Sequence, residues 1–297
     1  MAKTSNLKAY LTLAFLSVIW GTSFILIKKS LIVYAPIEVA ILRVAISGLA
    51  FTPFFIMYFK DHEWKRWPMY TVVALSGSAI PAFLFATAQT KIGSATAGIL
   101  NSITPIFALL IGIIFFKAAT NWKQMLGVII GFLGTVGLIM IDSSADDFSG
   151  QMIYGSLIVA GSVFYGANVN IVKEFFSNVT PLRLSTLSFF LVGIPVMCLI
   201  PFTDIPAKTM SDPYAPYALS YLTILAVVST MMALYIFYQL VQDTSAIFAS
   251  SVAYLIPIVA LMWGVFDGET LGILHVCLLY TSPSPRDQRG SRMPSSA

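Results

Sequence analysis

The strongest constraint in this sequence is a series of apolar runs, each long enough to cross a lipid bilayer as a helix. A bilayer core of about 30 Å needs about 20 apolar residues per helix. Such runs occur at 9–27, 39–59, 68–88, 95–116, 124–141, 152–172, 184–202, 218–241 and 246–266. Because they are continuous rather than alternating, they predict helices and not a β-barrel. The predicted fold class is therefore all-α integral membrane, with nine complete spans.

Composition and cysteine usage support this fold class. Charged residues make up 10% of the chain, against about 25% in an average soluble protein. The first apolar run is too long for a signal peptide, ends at Lys28 and Lys29 and lacks a cleavage pattern, so we expect it to be retained. Cys198 and Cys277 both lie in apolar runs, which indicates neither a disulfide framework nor a metal site. No cofactor is predicted.

The distribution of basic residues predicts a cytoplasmic N-terminus. With that orientation nine lysines and arginines fall on the cytoplasmic side and four on the other, as the positive-inside rule requires. The nine are Lys3, Lys8, Lys60, Lys65, Arg66, Lys117, Lys123, Lys173 and Arg183, and the four are Lys28, Lys29, Lys91 and Lys208. The net charge of +4 is thus mostly a topology signal. Binding to nucleic acid is not predicted.

The chain contains an internal duplication. Shifted by 145 residues, SVIWGTSFILIK (17–28) aligns with SVFYGANVNIVK (162–173), and the same offset relates Pro36 to Pro181 and Gly48 to Gly193. Shifted by 152 residues, AGILNSITPIFALLIG aligns with ASSVAYLIPIVALMWG, which brings Pro105 onto Pro257. Two blocks in the same order predict two structural repeats.

The number of helices in each repeat determines how the repeats are related. Five predicted helices separate the start of one repeat from the start of the next, and five is odd, so the halves cross the membrane in opposite directions. We predict two inverted five-helix repeats, the first over 9–141 and the second over 152–277. Inverted repeats are typical of secondary transporters, whose substrate site lies near the bilayer midplane where the halves meet.

Several of these motifs together resemble the EamA family of the drug/metabolite transporter superfamily. They are Trp20-Gly21 in the first run, Pro36 and Arg43 in the second, the NSITPIFALL block, and the S-x-x-Y-L-x-P-I-x-A block followed by Gly268-Glu269. The resemblance covers about residues 9 to 277. It implies ten helices that move small metabolites, often outward, across a bacterial inner membrane. Lys117 departs from the pattern, since the second repeat has an acid, Glu269, at that place.

The tenth helix is incomplete in this chain. The repeat places it at 276–293, where the sequence reads VCLLYTSPSPRDQRGSRM. The apolar run LGILHVCLLY spans ten residues, about 15 Å of helix, which cannot cross the bilayer core. We interpret 278–297 as a non-native tail that replaces the true C-terminus. The alternative is a genuine polar tail.

Polar and aromatic side chains recur at helical spacing within the apolar runs and predict a shared aqueous cavity. Ser17, Trp20 and Ser23 in the first run correspond to Ser162, Tyr165 and Asn168 in the sixth. The candidate substrate-binding residues are Trp20, Ser23, Asn101, Tyr165, Asn168, Tyr235, Tyr238, Gln239 and Tyr254. The alternative is that these groups hold helices together, at about 0.6 kcal/mol per contact.

Pro105 and Pro257 are the candidate gate positions. A proline inside a helix lacks an N–H and clashes with the carbonyl four residues earlier, so it bends the helix and frees backbone acceptors. Freed acceptors survive at membrane depth only where protein or water satisfies them. Because these prolines are related by the repeat, each half gains one bend. Gly21 and Gly166 are further candidate gate positions.

Arg43 and a glycine motif leave alternatives open. Arg43 is the one strong charge inside a span and is a candidate contact for an anionic group, as on an amino acid or organic acid. The alternative is a structural arginine whose stem reaches the interface.

Gly127 and Gly131 form a G-x-x-x-G, a motif that is typical of helix dimerisation. It makes a homodimer a candidate state, although packing within one chain explains the motif equally well.

Absent motifs narrow the function. The sequence has no G-x-x-x-x-G-K-[ST] and no H-E-x-x-H, so neither an ATP-driven motor nor a zinc protease is encoded. We predict a secondary transporter, not an enzyme, that moves small amino-acid-like or related polar and aromatic metabolites by alternating access, with efflux as one direction. The alternatives are a membrane-embedded enzyme, or a channel or receptor without alternating access. Substrate and lipid are the expected partners.

Overall fold

The computed structural model describes residues 6–118 and 148–269, together with single residues at 122 and 126. Within this part of the chain, eight helices are long and apolar enough to cross a membrane. They are α1 (Leu7–Ser30), α2 (Pro36–Met57), α3 (Trp64–Ala88), α4 (Ser94–Phe116), α5 (Met152–Phe175), α6 (Pro181–Phe202), α7 (Ala215–Asp243) and α8 (Ala246–Phe266). A short helix, Ile205–Ser211, precedes α7.

The spans confirm the predicted all-helical membrane fold. Helices α1 to α4 correspond to the first four apolar runs and α5 to α8 to the sixth through ninth. The fifth predicted span (124–141), with Gly127 and Gly131, and the segment 278–297 lie outside the described residues. Large apolar side chains cover the outer surface, and Leu11, Phe115 and Ile153 are each more than 60% exposed. A surface of this kind is suited to lipid and not to water.

Proline begins α2 and α6 at repeat-related positions. Pro36 and Pro181 each lie in the first turn, and each follows a residue with extended backbone. Proline suits the first turn because the N–H that it lacks would have no helical partner there. Glu38 completes the start of α2, since its carboxylate accepts a 2.7 Å hydrogen bond from the backbone N–H of Ala35.

The second helices of the two repeats cross at a pair of glycines. A Cβ atom placed on Gly48 of α2 would lie 2.8 Å from the Cα of Gly193 in α6, and one placed on Gly193 would lie 2.7 Å from the Cα of Gly48. These glycines are repeat mates. A residue contacts its own mate only on the axis that relates the two repeats, so a pseudo-twofold axis passes between α2 and α6.

The same axis relates a second pair of close contacts. A Cβ atom on Gly21 of α1 would lie 2.5 Å from the Cβ of Val259 in α8, and one on Gly166 of α5 would lie 2.8 Å from the carbonyl carbon of Phe107 in α4. Gly21 and Gly166 are mates at 145 residues, and Phe107 and Val259 are mates at 152. The first helix of each repeat therefore packs against the fourth helix of the other.

Four of the eight spans are irregular near mid-depth, and they too form repeat-related pairs. A π-helical segment interrupts α3 at Leu75–Ala79 and α7 at Val227–Met232. A 3₁₀ segment interrupts α4 at Asn101–Ile103 and α8 at Ser251–Tyr254. Pro105 and Pro257 follow in the first turn of the next helical piece. The two repeats therefore also share the positions of their π-helical and 3₁₀ segments.

A contact at one end of the bundle shows that the repeats are inverted. Asp61, between α2 and α3, accepts a 3.0 Å hydrogen bond from Arg183 at the start of α6. The starts of α3 and α6 therefore share one end of the bundle. Each helix crosses the bundle once. Two crossings precede α3, so α1 begins at the same end as α3, whereas one crossing precedes α6, so α5 begins at the opposite end. The first helices of the two repeats run in opposite directions.

Substitution of the crossing glycine tests the axis. Gly48→Ala should destabilise the protein by about 1–3 kcal/mol, because the new methyl group meets backbone rather than a movable side chain. The measurement is the midpoint of thermal unfolding in detergent. Gly155→Ala is the matched control, since a Cβ there meets nothing closer than Leu100 at 3.8 Å. Equal midpoints for both variants would contradict the glycine crossing.

Candidate functional site

A cavity lies at mid-depth where the two repeats meet, and seven of the eight helices line it, with α6 as the exception. The space in which the centre of a water molecule can move is about 80 Å³. A single buried water needs about 10–15 Å³ by that measure, so there is room for several waters or a small solute. The lining residues are Trp20, Ser23, Phe24, Ile27, Arg43, Gly77, Phe85, Asn101, Thr104, Tyr165, Asn168, Val169, Ser229, Leu234, Phe237, Ser250, Val252, Ala253 and Ile256.

The irregular helical segments and the cavity occupy the same place. Gly77 and Ser229 line the cavity from the two π segments, and Asn101 and Ala253 line it from the two 3₁₀ segments. Backbone that departs from the α-helix leaves polar groups without regular partners. At membrane depth this is tolerated only beside water or where other protein groups satisfy them.

Side chains of α1 and α5 supply the partners for the two π-helical regions. Trp20 Nε1 donates a 2.8 Å hydrogen bond to the carbonyl oxygen of Ser229. Asn168 Nδ2 donates to the carbonyl oxygen of Val73 at 2.9 Å and to Ser76 Oγ at 3.2 Å. The first helix of each repeat thus bonds the third helix of the other. These two side chains both line the cavity and hold its walls.

Arg43 reaches the cavity from α2. Its side chain is only 7% exposed, and its Nε donates a 2.8 Å hydrogen bond to Thr230 Oγ1. The guanidinium also interacts with the hydroxyl of Tyr165. Among the ion pairs of the described residues, none includes Arg43. A charged donor therefore stands at the cavity with neutral protein partners.

Short hydroxyl bonds stabilise the remaining polar wall. Thr104 Oγ1 donates to the carbonyl oxygen of Asn101 at 2.8 Å and lies 3.3 Å from its Oδ1, which closes the 3₁₀ turn before Pro105. Ser23 Oγ bonds the carbonyl oxygen of Ile19 at 3.1 Å within α1. Within residues 6–118 and 148–269, no His, Cys, Asp and Glu residues are grouped so that they could hold a metal ion.

The cavity brings together six of the residues singled out from the sequence and leaves out four. Trp20, Ser23, Arg43, Asn101, Tyr165 and Asn168 line it, whereas Tyr235, Tyr238, Gln239 and Tyr254 do not. Tyr235 is 39% exposed on the outside of the bundle. Gln239 donates to Asp243 Oδ1 at 2.9 Å along α7 and is turned away from the site.

Tyr235 and Gln239 lie after the π segment, on a face of α7 that does not line the cavity. Regular helical spacing predicts that Tyr235 and Gln239 share the cavity face. The face that lines the cavity instead carries Ser229, Leu234 and Phe237. The step of five residues from Ser229 to Leu234 matches a π turn, whose hydrogen bonds span five residues. Helical spacing shows that Tyr235 and Gln239 share a face, but it does not show that this face meets the cavity.

Tyr238 and Tyr254 are buried behind the cavity wall. Tyr238 is 1% exposed and packs in the main apolar core. A Cβ atom on Gly77 would lie 2.8 Å from both the Tyr238 hydroxyl and Asn168 Nδ2, so the tyrosine is directly behind a lining residue. Tyr254 is 5% exposed within the 3₁₀ segment of α8.

Gly77, Thr104 and Ser229 line the cavity but were not singled out from the sequence. A signal for two of them was present, because the 152-residue offset places Gly77 and Ser78 on Ser229 and Thr230. Small polar pairs at matched positions in two apolar runs would have indicated both π segments.

At one end of the bundle a charged cluster ties α1, α4 and α8 together. Lys28 Nζ lies 2.7 Å from Asp267 Oδ2 and 2.7 Å from Glu269 Oε1, and Lys29 also pairs with Asp267. Glu269 accepts hydrogen bonds from the backbone N–H of Ser94 at 2.9 Å and from its hydroxyl at 2.8 Å. It accepts a further bond from the N–H of Ala95, so it caps the start of α4. We call this cluster the charged latch.

At the opposite end, the described residues include no acid at the position that corresponds to Glu269. Lys173, the mate of Lys28, donates to the carbonyl oxygens of Gln242 and Thr244, each at 2.9 Å. The mate of Glu269 is Lys117. The pseudo-twofold axis therefore relates a latch of ion pairs to a contact between one lysine and backbone carbonyls, and the two ends of the bundle are held differently.

Comparison with known proteins gives the family of the chain. Residues 7–140 and 152–282 each match the sequence model of the EamA-like transporter family. An "Uncharacterized transporter" of Archaeoglobus fulgidus is 27% identical over 259 residues, which covers 87% of this chain and 89% of the relative. A second protein of that name and organism is 25% identical over 256 residues, covering 85% and 86%.

Two further matches are more distant. "Uncharacterized transporter YdfC" of Bacillus subtilis is 24% identical over 147 residues, covering 49% of this chain and 47% of the relative. A crystal structure of a protein with 15% sequence identity covers 94% of this chain and 96% of its own chain, with a TM-score of 0.65. That likeness shows a shared fold.

Removal of the Trp20 N–H tests the support of the π segment. Trp20→Phe leaves the carbonyl oxygen of Ser229 without its donor and should lower the free energy of unfolding by about 1–3 kcal/mol. Trp263→Phe is the matched control, because Trp263 Nε1 bonds Thr22 Oγ1 on the exposed surface. Thermal unfolding in detergent measures both. A larger loss for the control would contradict the assignment.

The charged latch has a defined pH dependence. Burial raises the pKa of Glu269, but the bonds from Lys28 and from the N–H and hydroxyl of Ser94 lower it by more, so the pKa lies below its ordinary value of 4.5. Because the folded pKa is depressed, the stabilisation is complete above about pH 5 and is lost as the pH falls through the folded pKa. Glu269→Gln should lower stability at neutral pH and flatten this acid loss.

The control for the latch is an exposed ion pair. Glu63 bonds Arg66 at 2.9 Å on the surface, so Glu63→Gln should change stability at neutral pH by less than about 1 kcal/mol. Unfolding midpoints from about pH 4 to pH 8 make the comparison. A Glu269→Gln variant with the same midpoint and pH profile as the parent would show that the latch contributes nothing.

Proposed function

The chain belongs to the EamA-like transporter family, and we propose that it is a secondary transporter that moves small metabolites through its central cavity by alternating access. Membership in this family makes it a multi-pass membrane transporter and not an enzyme. The mechanism and the substrate class are the proposed part.

One observation carries the mechanism: the cavity is bordered by two matched sets of helical irregularities. The π segments in α3 and α7 and the 3₁₀ segments in α4 and α8 are exchanged by the axis between Gly48 and Gly193. Motion at one set has an equivalent at the other, facing the opposite end. An arrangement of this kind supports rocking of one repeat against the other around a fixed site.

The proposed gates combine the predicted bends with the charged latch. Pro105 and Pro257 follow the 3₁₀ turns, and Gly21 and Gly166 permit the close approach of α1 to α8 and of α5 to α4. In this conformation the latch joins α8 of the second repeat to α1 and α4 of the first. Opening the cavity toward that end requires these ion pairs to separate.

The proposed orientation places the latch on the outer face of a bacterial inner membrane. The loop residues Lys60, Lys65, Arg66 and Arg183 gather at the opposite end, near Asp61. Under the positive-inside rule that end and the N-terminus are cytoplasmic. A latch that closes the outer end suits a protein that loads from the cytoplasm, so efflux is the proposed direction.

The lining suits small amino-acid-like or related polar and aromatic compounds. Aromatic rings, amides and hydroxyls surround the space, and the described lining carries no carboxylate or histidine. A proton relay through a buried carboxylate, which is common in proton-coupled transporters, therefore has no support there. We accordingly propose exchange or uniport for coupling. A homodimer through Gly127 and Gly131 remains part of the proposal and concerns residues outside the described part.

Locking the latch tests alternating access. In a background with Cys198 and Cys277 replaced by serine, cysteines at Lys28 and Glu269 joined by a short bifunctional maleimide should abolish counterflow in proteoliposomes. The assay uses a panel of radiolabelled amino acids and aromatic metabolites. Full counterflow after complete cross-linking would contradict a gate at this end.

The matched control joins cysteines at Glu63 and Arg66 with the same reagent. This pair also forms an ion pair, but both residues belong to one short segment, so a link between them restrains no motion between repeats. Counterflow should survive in the control. Absence of counterflow for every compound, with the unlinked protein folded, would contradict the proposed function itself.

A further inference from the structure

Among the described residues that line the cavity, Arg43 is the one charged side chain. The described carboxylates that form ion pairs lie toward the two ends of the bundle. At one end, Asp61 pairs with Arg183 and Glu63 pairs with Arg66. At the other, Glu38 pairs with Lys208 at 2.6 Å, and Asp267 and Glu269 belong to the latch. Nothing acidic in the described lining neutralises the guanidinium.

The contacts of Arg43 orient it and leave donors for a ligand. A guanidinium carries five N–H donors and no acceptor. Within the described residues, Nε donates to Thr230 Oγ1, and Thr230 in turn donates to the carbonyl oxygen of Leu225 at 3.0 Å. The hydroxyl of Tyr165 is the other partner. These partners are neutral, and a guanidinium that lines the cavity has more N–H donors than two partners use, so it can also bond a ligand that enters.

A buried cation beside neutral groups selects the charge of what enters the cavity. Desolvation of a charge is costly unless a counter-ion or water compensates. A carboxylate presents two oxygens that match parallel N–H donors of a guanidinium, which a neutral amide or an ammonium group does not. An ammonium group would in addition be repelled. The chemistry of the site therefore favours a carboxylate.

The pseudo-twofold axis indicates how many carboxylates the site takes. The mate of Arg43 is Ser188, and the mate of Thr230 is Ser78. Both serine hydroxyls are buried and have no hydrogen-bond partner within the described chain. The symmetry-related position thus carries buried hydroxyl groups, outside the cavity lining, in place of a cation. One anchor for an anion, rather than two, suits a compound with a single carboxylate.

Aromatic rings form the wall available to the rest of the ligand. The rings of Trp20 and Phe237 meet edge to face at 4.9 Å, and Phe85 lies 5.8 Å from both Phe24 and Tyr165. Such a wall favours a flat apolar body over a strongly hydrated one. The volume of the cavity limits that body to about one ring.

We infer that Arg43 is the receptor for the carboxylate of the transported compound, and that this compound is a small monocarboxylate with an aromatic or apolar body. The inference rests on the proposed transport through this cavity and narrows its substrate class. It excludes organic cations as substrates, and it assigns to Arg43 a binding role in addition to its bonds with Thr230 and Tyr165.

Three probes of one shape test this inference: benzoate, benzamide and benzylammonium. Binding to the full chain in lipid nanodiscs is measured by calorimetry, and benzoate should bind at least roughly tenfold more tightly than either of the others. Arg43→Gln should remove that preference and leave benzamide binding unchanged. Lys91→Gln, which removes an exposed charge remote from the cavity, should preserve it.

A second variant guards against misfolding. Arg43→Lys keeps the charge and removes the planar pair of donors, so it should show an intermediate benzoate preference at an unfolding midpoint near that of the parent. Equal binding of benzoate and benzamide by the parent protein would overturn the inference. So would benzoate binding that is unchanged in both Arg43 variants, and so would the absence of benzoate binding.

The two proposals fail in different ways. Counterflow of metabolites with no preference for carboxylates, or counterflow unaffected by Arg43→Gln, contradicts the inference and leaves transport standing. Absence of counterflow for every compound, with the protein folded, contradicts the proposed function and the inference with it. Counterflow driven by benzoate but not by benzamide, and lost in Arg43→Gln, supports both.

Discussion

The structure depends on one constraint, which is that backbone N–H and C=O groups inside a membrane must find partners without bulk water. Four helices break the regular ladder near mid-depth, and each break lies on the cavity. Trp20 satisfies a carbonyl of one π segment, Asn168 satisfies one beside the other, and Thr104 closes a 3₁₀ turn. Side chains that line the cavity thus supply hydrogen-bond partners for the irregular backbone around it. The proposed binding role therefore falls on residues that also support the structure.

Because the duplication is inverted, the same arrangement of helices faces both ends of the bundle. Gly48 and Gly193 place the axis, and the matched contacts of Gly21 and Gly166 interlock the halves. Perfect symmetry would make both ends equivalent. Glu269 breaks the symmetry, since its mate is Lys117, and among the described residues the ion pairs that involve a helix cap lie at one end of the bundle. Under the proposed mechanism, this difference between the ends would make the two gates unequal in stability.

The sequence predicted the spans, the repeats and much of the cavity wall, because hydropathy and an offset of fixed length are both readable without tertiary contacts. Trp20, Tyr165 and Asn168 follow from helical spacing within regular helices. Tyr235 and Gln239 share one face of a regular part of α7, but that face does not line the cavity, and helical spacing does not show which face of a helix meets a cavity. The ion pair between Glu38 and Lys208 joins residues 170 positions apart along the chain. Contacts of that kind arise from packing and leave no local pattern.

The central claim is that two antiparallel repeats enclose one cavity, and membrane sidedness tests it most directly. Single cysteines at Lys65, Arg183, Lys91 and Lys208, in a background with Cys198 and Cys277 replaced by serine, can be labelled in intact vesicles with a reagent that does not cross the bilayer. The account predicts that positions 65 and 183 label from one side and positions 91 and 208 from the other. Labelling of positions 65 and 183 from opposite sides would contradict it.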